Sequence, residues 1–324
     1  MSINNKYDVV ALGELLIDFT EYARSDRGNK LFEANPGGAP CNVLALLQKL
    51  GKKTAFIGKV GNDQFGRILC ETINSIGIDS SNLVFDNEIP TTLAFVGKTP
   101  DGDREFSFYR NPGADMMLNA DEVDEDLLKN AKIFHFGTLS MTHEAVRGAT
   151  ITAIKKAKEN GAIISLDPNL REPLWKSLDE AKTQMKDALS YCDILKISDN
   201  EIVFLTGETD FDEGVKKIRE EYNIPLICVT MGKDGSRAYY NDIKVVAGGF
   251  YQENIVDTTG AGDTFCGSVL NYICENGLEN LSEKQIEEMI TFANAAASLV
   301  TTKPGAILSM PTEAEIEKIL IRQC

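Results

Sequence analysis

The chain has 324 residues, of which 43% are hydrophobic and 25% are charged. This composition is typical of a globular protein, so it excludes a disordered chain, a collagen-like fibre and a disulfide scaffold. The formal net charge is −16 at pH 7. Because a negative field repels phosphate backbones and anionic lipids, we expect neither nucleic acid nor a membrane as the main partner.

Short apolar runs alternate with amphipathic helical patterns along most of the chain. The runs predict buried strands at 9–12, 55–58, 133–136, 163–166, 194–197 and 226–230. One of the helical patterns runs from Glu144 to Asn160, and Gly161 ends it. Buried strands with crossover helices predict an α/β fold whose mostly parallel sheet is covered on both faces.

A first glycine-containing sequence, NPGGAPCNVLALLQKLG, occupies 35–51. Two glycines precede a predicted helix that Gly51 ends, and Pro40 is compatible with its first turn. Asn42 lies four residues after Gly38, so its amide can point over the loop toward the hydroxyl groups of a ligand. A plain helix entrance with a polar first-turn residue is the alternative.

The segment 91–110 departs from the parallel pattern. Two alternating runs are joined by the sequence TPDGD, whose Asp-Gly pair is a strong hairpin signal. Side chains alternate between the two faces of a strand, so we expect one face to carry Phe106, Phe108 and Arg110. Such a hairpin is either an edge decoration or a lid over a site, and the charged stretch 15–35 could supply the other strands of a lid.

A second glycine-containing sequence, DTTGAGDTF, occupies 257–265 and opens a helical pattern that Gly277 ends. The glycines let the backbone approach a ligand, and the N-terminus of a helix favours negative charge, so an anion site is one interpretation. Asp263 would then lie within reach of the bound group, as a general base must. The alternative is a glycine-rich turn in which Asp263 complements the helix dipole.

Late in the chain, Ser282 and Gln285 form a capping-box pattern. Apolar residues follow at helical spacing: Ile286, Ile290, Ala293 and Ala297. The sequence Lys-Pro-Gly at 303–305 stops this helix.

No repeat, low-complexity segment or linker divides the chain. We therefore expect residues 1–324 to form one domain, with lid strands inserted at about 15–36 and 90–111. The chain also contains no G-x-x-x-x-G-K-[ST] sequence and no G-x-G-x-x-G fingerprint after its first strand. A P-loop kinase is therefore excluded, and a dinucleotide-binding Rossmann enzyme is disfavoured.

Seven cysteines are scattered without a C-x-x-C pair, and the first residues lack the pattern of a signal peptide. The most apolar helical stretch, 293–300, is far shorter than a membrane span. We therefore expect a reducing, cytoplasmic location. His135 and His143 form no metal-ligand or catalytic-triad pattern, so we expect both to be structural.

Together, the two glycine-containing sequences resemble the two signatures of the ribokinase-like (phosphofructokinase B type) carbohydrate kinases. Further segments fall in the expected order, namely ALGELLIDF at 11–19, SLDPNLREPLW at 165–175, VTMGKDGS at 229–236 and FANAAASLVTTKPGAI at 292–307. Within the family, TTLAFV and DGDREFSFYRNPGADMML look most like fructokinases. The resemblance implies a three-layer αβα fold with a mostly parallel central sheet and a small β-lid.

The family transfers the γ-phosphoryl group of ATP to a sugar hydroxyl. By resemblance, Asp263 matches the catalytic base, and the backbone amides of Gly260, Ala261 and Gly262 match the anion hole that stabilises the transition state. Arg171, in the sequence DPNLR, matches an arginine that reaches the sugar or phosphate region. A surface ion pair is the alternative for this arginine.

On the sugar side, the resemblance assigns substrate-binding positions to Asp18, Gly37, Gly38 and Asn42, together with Asp263 and Arg171. A carboxylate and an amide suit a neutral polyol, because each holds hydroxyl groups in a fixed orientation. Phe106 and Phe108 would close the lid over the sugar and exclude water, with packing inside the hairpin as the alternative. For Arg110, a substrate contact and a carboxylate partner are both open.

On the nucleotide side, the matching residues are Lys196, Ser198, Glu201, Thr230, Gly232, Lys233, Gly235, Gly260, Gly262, Asn294 and Ala297. Glu201 matches the acidic end of the family's N-x-x-E motif, which organises Mg²⁺ through water. Ser198 stands where that motif usually has asparagine, so the motif's other contact departs from the pattern. Asn294 and Ala297 match the adenine side, although core packing is the alternative for Ala297.

Some members of the family also bind K⁺ beside the anion hole. Asp257, Thr259, Gly305 and Ser309 occupy the corresponding positions, so the resemblance implies a K⁺ site there. The hairpin further indicates a homodimer formed by pairing of lid strands.

The resemblance implies an ATP-dependent fructokinase that forms fructose 6-phosphate. A 2-keto-3-deoxygluconate kinase is an alternative, because Arg110 and Arg171 could bind the carboxylate of that substrate. Another neutral sugar or a nucleoside is a further alternative. A catalytically silent scaffold is disfavoured, since the base and the anion-hole glycines are all present.

Overall fold

The computed structural model describes residues 6–98 and 104–323. Within these ranges the strands are β1 (Tyr7–Leu12), β2 (Leu16–Arg24), β3 (Lys30–Gly37), β4 (Thr54–Gly61), β5 (Asp79–Asp86), β6 (Leu93–Lys98), β7 (Arg104–Tyr109), β8 (Ala131–Gly137), β9 (Ile163–Asp167), β10 (Ile194–Ser198), β11 (Leu226–Thr230), β12 (Ser236–Tyr240) and β13 (Ile243–Ala247). The helices are α1 (Ala39–Lys49), α2 (Gln64–Ser75), α3 (Glu125–Lys129), α4 (Glu144–Glu159), α5 (Leu178–Leu189), α6 (Asp199–Thr206), α7 (Phe211–Glu221), α8 (Ala261–Asn276), α9 (Glu283–Val300) and α10 (Glu313–Gln323).

A nine-stranded sheet forms the centre of the described structure, in the order β13-β12-β11-β10-β9-β8-β1-β4-β5. The strands from β11 to β5 are parallel, while β12 and β13 form an antiparallel edge. The predicted buried strands are all confirmed as members of this sheet, and the mostly parallel αβα architecture is confirmed with them.

The two faces of the sheet bury different residues of the same strands. In β1, Val9 and Ala11 join the core that contains side chains of α1, α8 and α9. Val10 and Leu12 join the opposite core, which contains side chains of α4, α5 and α7. Because successive side chains of a strand point to opposite faces, a strand covered on both sides must be apolar throughout.

A separate four-stranded sheet, here named the small sheet, has the order β3-β2-β6-β7. Its strands lie at the two insertions predicted for a lid, and the expected β6–β7 hairpin is antiparallel. The turn sequence TPDGD, at 99–103, lies outside the described residues. Asp18 pairs with Ala94, and Ala94 pairs with Phe108, so these three side chains share one face of the small sheet.

Both histidines have structural surroundings, as predicted. His135 is buried, its Nδ1 lies 3.0 Å from the Ser165 hydroxyl, and burial lowers its pKa to about 3. His143 is the N-cap of α4, where its Nδ1 accepts a hydrogen bond from the amide of Ala145.

In the part of the chain that the structure describes, no helix has both the length and the apolar character needed to cross a membrane.

Candidate active site

Two helix N-termini meet beyond the carboxyl ends of the parallel strands. Helix α1 begins after Gly38, whose φ is 131°, and a side chain there would collide with the backbone carbonyl of Glu14. Helix α8 begins after Gly260, whose φ is 80°, and a Cβ atom there would lie 2.8 Å from the Cβ of Ala306. Glycine is therefore required at both turns, for backbone conformation and for space.

The Asp263 carboxylate lies in the first turn of α8 and is buried. Its Oδ2 accepts a hydrogen bond of 2.7 Å from the side-chain amide of Asn42, in the first turn of α1. Its Oδ1 accepts one of 3.1 Å from the amide of Asn169, which follows β9. Since each carboxylate oxygen accepts two hydrogen bonds, both retain capacity for the hydroxyl group of a ligand.

The charge state of Asp263 reflects opposing influences. Burial raises the pKa of the carboxyl, whereas the amide of Asn42 and the positive charges of Lys196 and Arg171 act to lower it. A buried carboxylate with a raised pKa at a helix N-terminus is suited to accept a proton near neutral pH.

The N-terminus of α8 offers backbone N–H groups beside this carboxylate. In the first turn of a helix the backbone N–H groups have no intrahelical acceptor, and this applies to the N–H groups of Gly262 and Asp263. The N–H of Ala261 is 3.3 Å from the carbonyl oxygen of Thr258. A Cβ atom on Gly262 would lie 3.0 Å from the Lys196 ammonium. Backbone amides and an ammonium group are thus close together, which makes this position favourable for an anion.

Lys196 is the buried cation of the site. Its Nζ lies 3.0 Å from Asp167 Oδ2. Burial alone would lower the pKa of Lys196, but the carboxylates of Asp167 and Glu201 raise it above its usual value. We therefore treat Lys196 as protonated throughout the physiological range.

Glu201 is held by a capping box at the start of α6. Its Oε2 accepts hydrogen bonds of 2.8 Å from the amide and the hydroxyl of Ser198, and its Oε1 accepts one of 2.7 Å from the amide of Leu170. Burial acts to raise its pKa, but Lys196 and these hydrogen bonds lower it, so the carboxylate is ionised. Ser198 thus supports Glu201 from the position where the motif usually has asparagine.

These groups surround a cleft of about 440 Å³. The predicted site residues that line it are Asp18, Gly38, Asn42, Phe108, Arg171, Lys196, Ser198, Glu201, Thr259, Gly260, Gly262 and Asp263. They come from both insertions, from the start of α1, from the loop after β9, from β10 and α6, and from the α8 turn. The structure therefore brings together groups that are as much as 245 residues apart in sequence, from Asp18 to Asp263.

Arg110 does not line the cleft, and of its two open alternatives, a substrate contact and a carboxylate partner, the structure shows the carboxylate partner. Its side chain is 2% exposed and forms an ion pair of 2.7 Å with Asp115. It also donates hydrogen bonds to the Thr142 hydroxyl and the Leu139 carbonyl. The reason is that β7 ends at Tyr109, so the alternation that aligned Arg110 with Phe108 no longer applies.

Of the residues predicted for the nucleotide side that do not line the cleft, two meet at one backbone segment and another lies beside the cleft. Thr230 is the register partner of Ser198, which lines the cleft. Gly235 has a φ of 93° and its α-carbon faces the Ala247–Gly248 backbone, whose carbonyls accept two hydrogen bonds of 3.2 Å from Asn294. The remaining members of this set are Gly232 and Lys233, in the turn after β11, and Ala297, which packs partly against the core.

The residues predicted for K⁺ also come together. Asp257 Oδ1 accepts a hydrogen bond of 2.8 Å from the Thr259 amide, and Oδ2 accepts one of 3.2 Å from the Gly305 amide. Ser309 donates its hydroxyl to the carbonyl of Pro304, next to Gly305. The loop before α8 is thereby connected to the loop after α9.

Two other predicted positions have specific surroundings. Gly37 ends β3, and its α-carbon faces the Asp18 carboxylate so closely that a side chain would collide with it. Phe106 lies in β7 opposite Val96, but its side chain lies outside the described residues.

Two polar side chains of the cleft that contact the first turns of α8 and α1 were missed by the sequence reasoning. Asn169 contacts Asp263 directly, and Glu14 accepts a hydrogen bond of 2.8 Å from the amide of Ala39 at the start of α1. Burial raises the pKa of Glu14 to about 7. Both residues closely follow the end of a parallel strand, and that position was the available signal, because ligands bind at this edge of α/β sheets.

Comparison with known proteins identifies the family of this chain and several similar proteins. The pfkB family carbohydrate kinase model matches residues 6–313. Fructokinase-1 of Zea mays is 44% identical over 317 residues, which cover 96% of this chain and 97% of the relative. A fructokinase from Xylella fastidiosa with bound ATP has a TM-score of 0.89 at 27% identity, with 98% of both chains covered. A double mutant of a Vibrio cholerae fructokinase, bound to fructose, ADP and a potassium ion, has a TM-score of 0.86 at 29% identity, with 98% of this chain and 99% of the other covered.

A buried carboxylate at a glycine-flanked helix N-terminus, a central parallel sheet with a small sheet beside the cleft, and a family match over nearly the whole length agree with one another. The chain belongs to the pfkB family of carbohydrate kinases.

Proposed function

We propose that this chain is an ATP-dependent fructokinase that converts D-fructose to fructose 6-phosphate. The observation that carries the proposal is the position of Asp263, which is buried in the first turn of α8 at the edge of the cleft and accepts a hydrogen bond from the side-chain amide of Asn42. The similarity to plant and bacterial fructokinases supports fructose as the acceptor and ATP as the donor.

The sugar would lie between α1 and the small sheet. Asp18, Gly38 and Asn42 present a carboxylate, a close backbone and an amide, which suit the hydroxyl groups of a neutral sugar. Phe108, which shares a face of the small sheet with Asp18, adds an apolar surface to the lining of the cleft. Closing that surface over the sugar would exclude water and limit ATP hydrolysis.

The transfer step follows from the groups around Asp263. The carboxylate accepts the proton of the sugar hydroxyl while the oxygen forms a bond to the γ-phosphorus of ATP. The bond from that phosphorus to the β,γ-bridging oxygen breaks, and ADP leaves with the electron pair. The N–H groups at the start of α8, with Lys196 beside Gly262, stabilise the negative charge of the phosphoryl group during transfer.

The nucleotide would approach from β10 and β11, where Ser198 and Thr230 are adjacent. Mg²⁺ prefers oxygen ligands and keeps several waters, and the ionised carboxylate of Glu201 in the cleft fits that chemistry. When bound, the ion would neutralise charge on the phosphates. The oxygen-rich loops at Asp257 and Gly305 similarly fit a monovalent cation, so we retain K⁺ activation as part of the proposal.

A substrate with a carboxylate is less well supported. Such a substrate calls for extra cationic contacts, and Arg110 is already paired with Asp115 in the protein interior. Arg171 lines the cleft and is the residue that keeps 2-keto-3-deoxygluconate as the second candidate.

An ADP-release assay over a panel of sugars tests the proposal. The panel contains D-fructose, D-ribose, D-glucose, 2-keto-3-deoxygluconate and a nucleoside, each with ATP and Mg²⁺. We expect the highest kcat/KM with D-fructose. Higher turnover of 2-keto-3-deoxygluconate would assign the second candidate, and no turnover over the panel would favour a non-catalytic scaffold.

We further propose one kinase domain over residues 1–324 that forms a homodimer through the small sheet. The face of this sheet opposite to Asp18 and Phe108 carries an aromatic cluster in which Phe95 contacts Phe19, Phe32 and Tyr109, and Tyr109 is 67% exposed. An exposed apolar patch of this kind supports pairing with a second copy. Sedimentation velocity tests the homodimer, with a dimer expected and a monomer contradicting the proposal.

The reducing, cytoplasmic location stays a prediction.

A further inference from the structure

The loop after β9 places an asparagine against the proposed base. Asn169 donates its side-chain amide to Asp263 Oδ1 over 3.1 Å, on the carboxylate oxygen opposite to the one that Asn42 contacts. Its φ is 47°, in the left-handed region that asparagine and glycine tolerate best. The backbone conformation therefore favours the residue type that also supplies the amide.

This loop is fixed at three consecutive residues. The carbonyl of Pro168 accepts hydrogen bonds from both the amide and the hydroxyl of Thr138. The amide of Asn169 donates to Asp167 Oδ1 over 3.2 Å, and the amide of Leu170 donates to Glu201 over 2.7 Å. The Asn169 side chain is thus presented to Asp263 from a backbone anchored to the residue after β8, to the end of β9 and to α6.

We propose that Asn169 is a positioning residue that orients the Asp263 carboxylate and stabilises its ionised form for proton abstraction. This proposal rests on the proposed kinase function. Two amides on opposite oxygens determine the plane of the carboxylate, so losing one leaves the carboxylate held on one side only. The N–H group of an amide also forms a stronger hydrogen bond to an ionised carboxylate than to a neutral acceptor, so it stabilises the ionised form.

The electrostatic surroundings agree with this role. Burial raises the pKa of Asp263, and the amide of Asn169 is one of the groups that lower it, with Asn42, Lys196 and Arg171. The carboxylate of Asp167, which is paired with Lys196, acts in the opposite direction, because two carboxylates repel each other's negative charge. Removing the Asn169 amide should therefore move the pKa of Asp263 upward.

Two variants and one control test the proposal in the full chain. Asn169→Gly removes the amide and tolerates the positive φ. Asn169→Asp keeps the shape but replaces the donor by a second carboxylate next to Asp263. Asn280→Gly is the matched control, because Asn280 also has a positive φ of 57° and is exposed. The readouts are kcat and KM for fructose, the pH dependence of kcat/KM, and a ¹³C NMR titration of the labelled Asp263 carboxyl without substrates.

With Asn169→Gly we expect kcat to fall about ten- to a hundredfold, as for loss of a hydrogen bond to a charged group, with KM for fructose within about twofold. The acidic limb of the pH profile should move to higher pH, and further in Asn169→Asp, while Asn280→Gly should match the wild type. An unchanged acidic limb, or a rise in KM with kcat unchanged, would overturn the proposal.

The NMR titration separates this inference from the proposed function. If the wild-type chain does not phosphorylate fructose, the proposed function fails, but the titration still reports the Asp263 carboxyl. An upward shift in Asn169→Gly then supports the positioning role. A titration identical to that of the wild type contradicts it.

Discussion

Asn42 and Asp263 are 221 residues apart in sequence, and their side chains are joined by a buried hydrogen bond of 2.7 Å. Each lies in the first turn of a helix whose N-terminus faces the cleft. The bond connects the residue proposed to hold the sugar with the residue proposed to activate it. Sugar binding and base orientation therefore depend on the packing of α1 against α8.

The capping box of Ser198 gives a prediction about stability and metal use. Ser198→Ala should lower the free energy of unfolding by about 1 kcal/mol and raise the Mg²⁺ concentration needed for half-maximal activity, because Glu201 loses its hydroxyl donor. Ser198→Asn should keep the free energy of unfolding and the Mg²⁺ dependence close to their wild-type values, since asparagine is an equally good N-cap.

Ser282→Ala is the matched control for that experiment. Ser282 forms the same capping box with Gln285 at α9, outside the cleft lining. It should lower stability by a similar amount and leave the Mg²⁺ dependence unchanged. If both serine variants shift the Mg²⁺ dependence equally, the link between Ser198 and the metal is wrong.

The buried pair of Arg110 and Asp115 predicts an effect on stability and not on substrate affinity. Arg110→Ala should cost about 3–5 kcal/mol of unfolding free energy, because it leaves the Asp115 carboxylate buried without its ion-pair partner. KM for fructose should stay within about twofold in the folded fraction. Chemical denaturation and steady-state kinetics measure the two effects.

Arg27→Ala provides the control, since Arg27 is exposed on the small sheet's connection and should change stability by less than about 0.5 kcal/mol. A large rise in KM for fructose in Arg110→Ala, with an unchanged free energy of unfolding, would contradict this and assign Arg110 a role in substrate binding.

Glu14 predicts a pH dependence of stability. Burial raises its folded-state pKa from 4.5 to about 7, so its protonated form favours the folded state. The stabilisation is complete below pH 4.5 and is lost as the pH rises through about 7, by up to about 3 kcal/mol. Glu14→Gln should remove this dependence, because the amide oxygen still accepts from Ala39 but carries no charge.

Denaturant unfolding at pH 5 and pH 8 measures this difference. Glu283→Gln, at an exposed position in the first turn of α9, should keep the wild-type pH dependence. Equal pH dependence in wild type and Glu14→Gln would show that Glu14 is ionised in the folded protein, contrary to our account.

Much of the fold was predictable, because fully buried parallel strands must be apolar throughout and helices need glycines or caps at their ends. The two glycine-containing sequences were predictable as turns for a related reason, since a side chain at Gly38 or Gly260 would collide with its neighbours. For Arg110 the sequence could not decide between a substrate contact and a carboxylate partner, because the alternation of a strand does not extend past its last residue. Asn169 and Glu14 were missed, since a single polar residue after a strand resembles any loop residue until the tertiary fold brings it to Asp263 or α1.

The central claim is that Asp263 activates the hydroxyl group of fructose. The most direct test compares wild type, Asp263→Asn and Asp179→Asn in ATP-dependent phosphorylation of D-fructose, with fructose binding measured by calorimetry. Asp179 is a suitable control, because it is an exposed first-turn aspartate of α5. We predict that Asp263→Asn binds fructose but loses about 10²- to 10⁴-fold in kcat, while Asp179→Asn retains wild-type kcat. Turnover of fructose by Asp263→Asn at the wild-type rate would contradict the account.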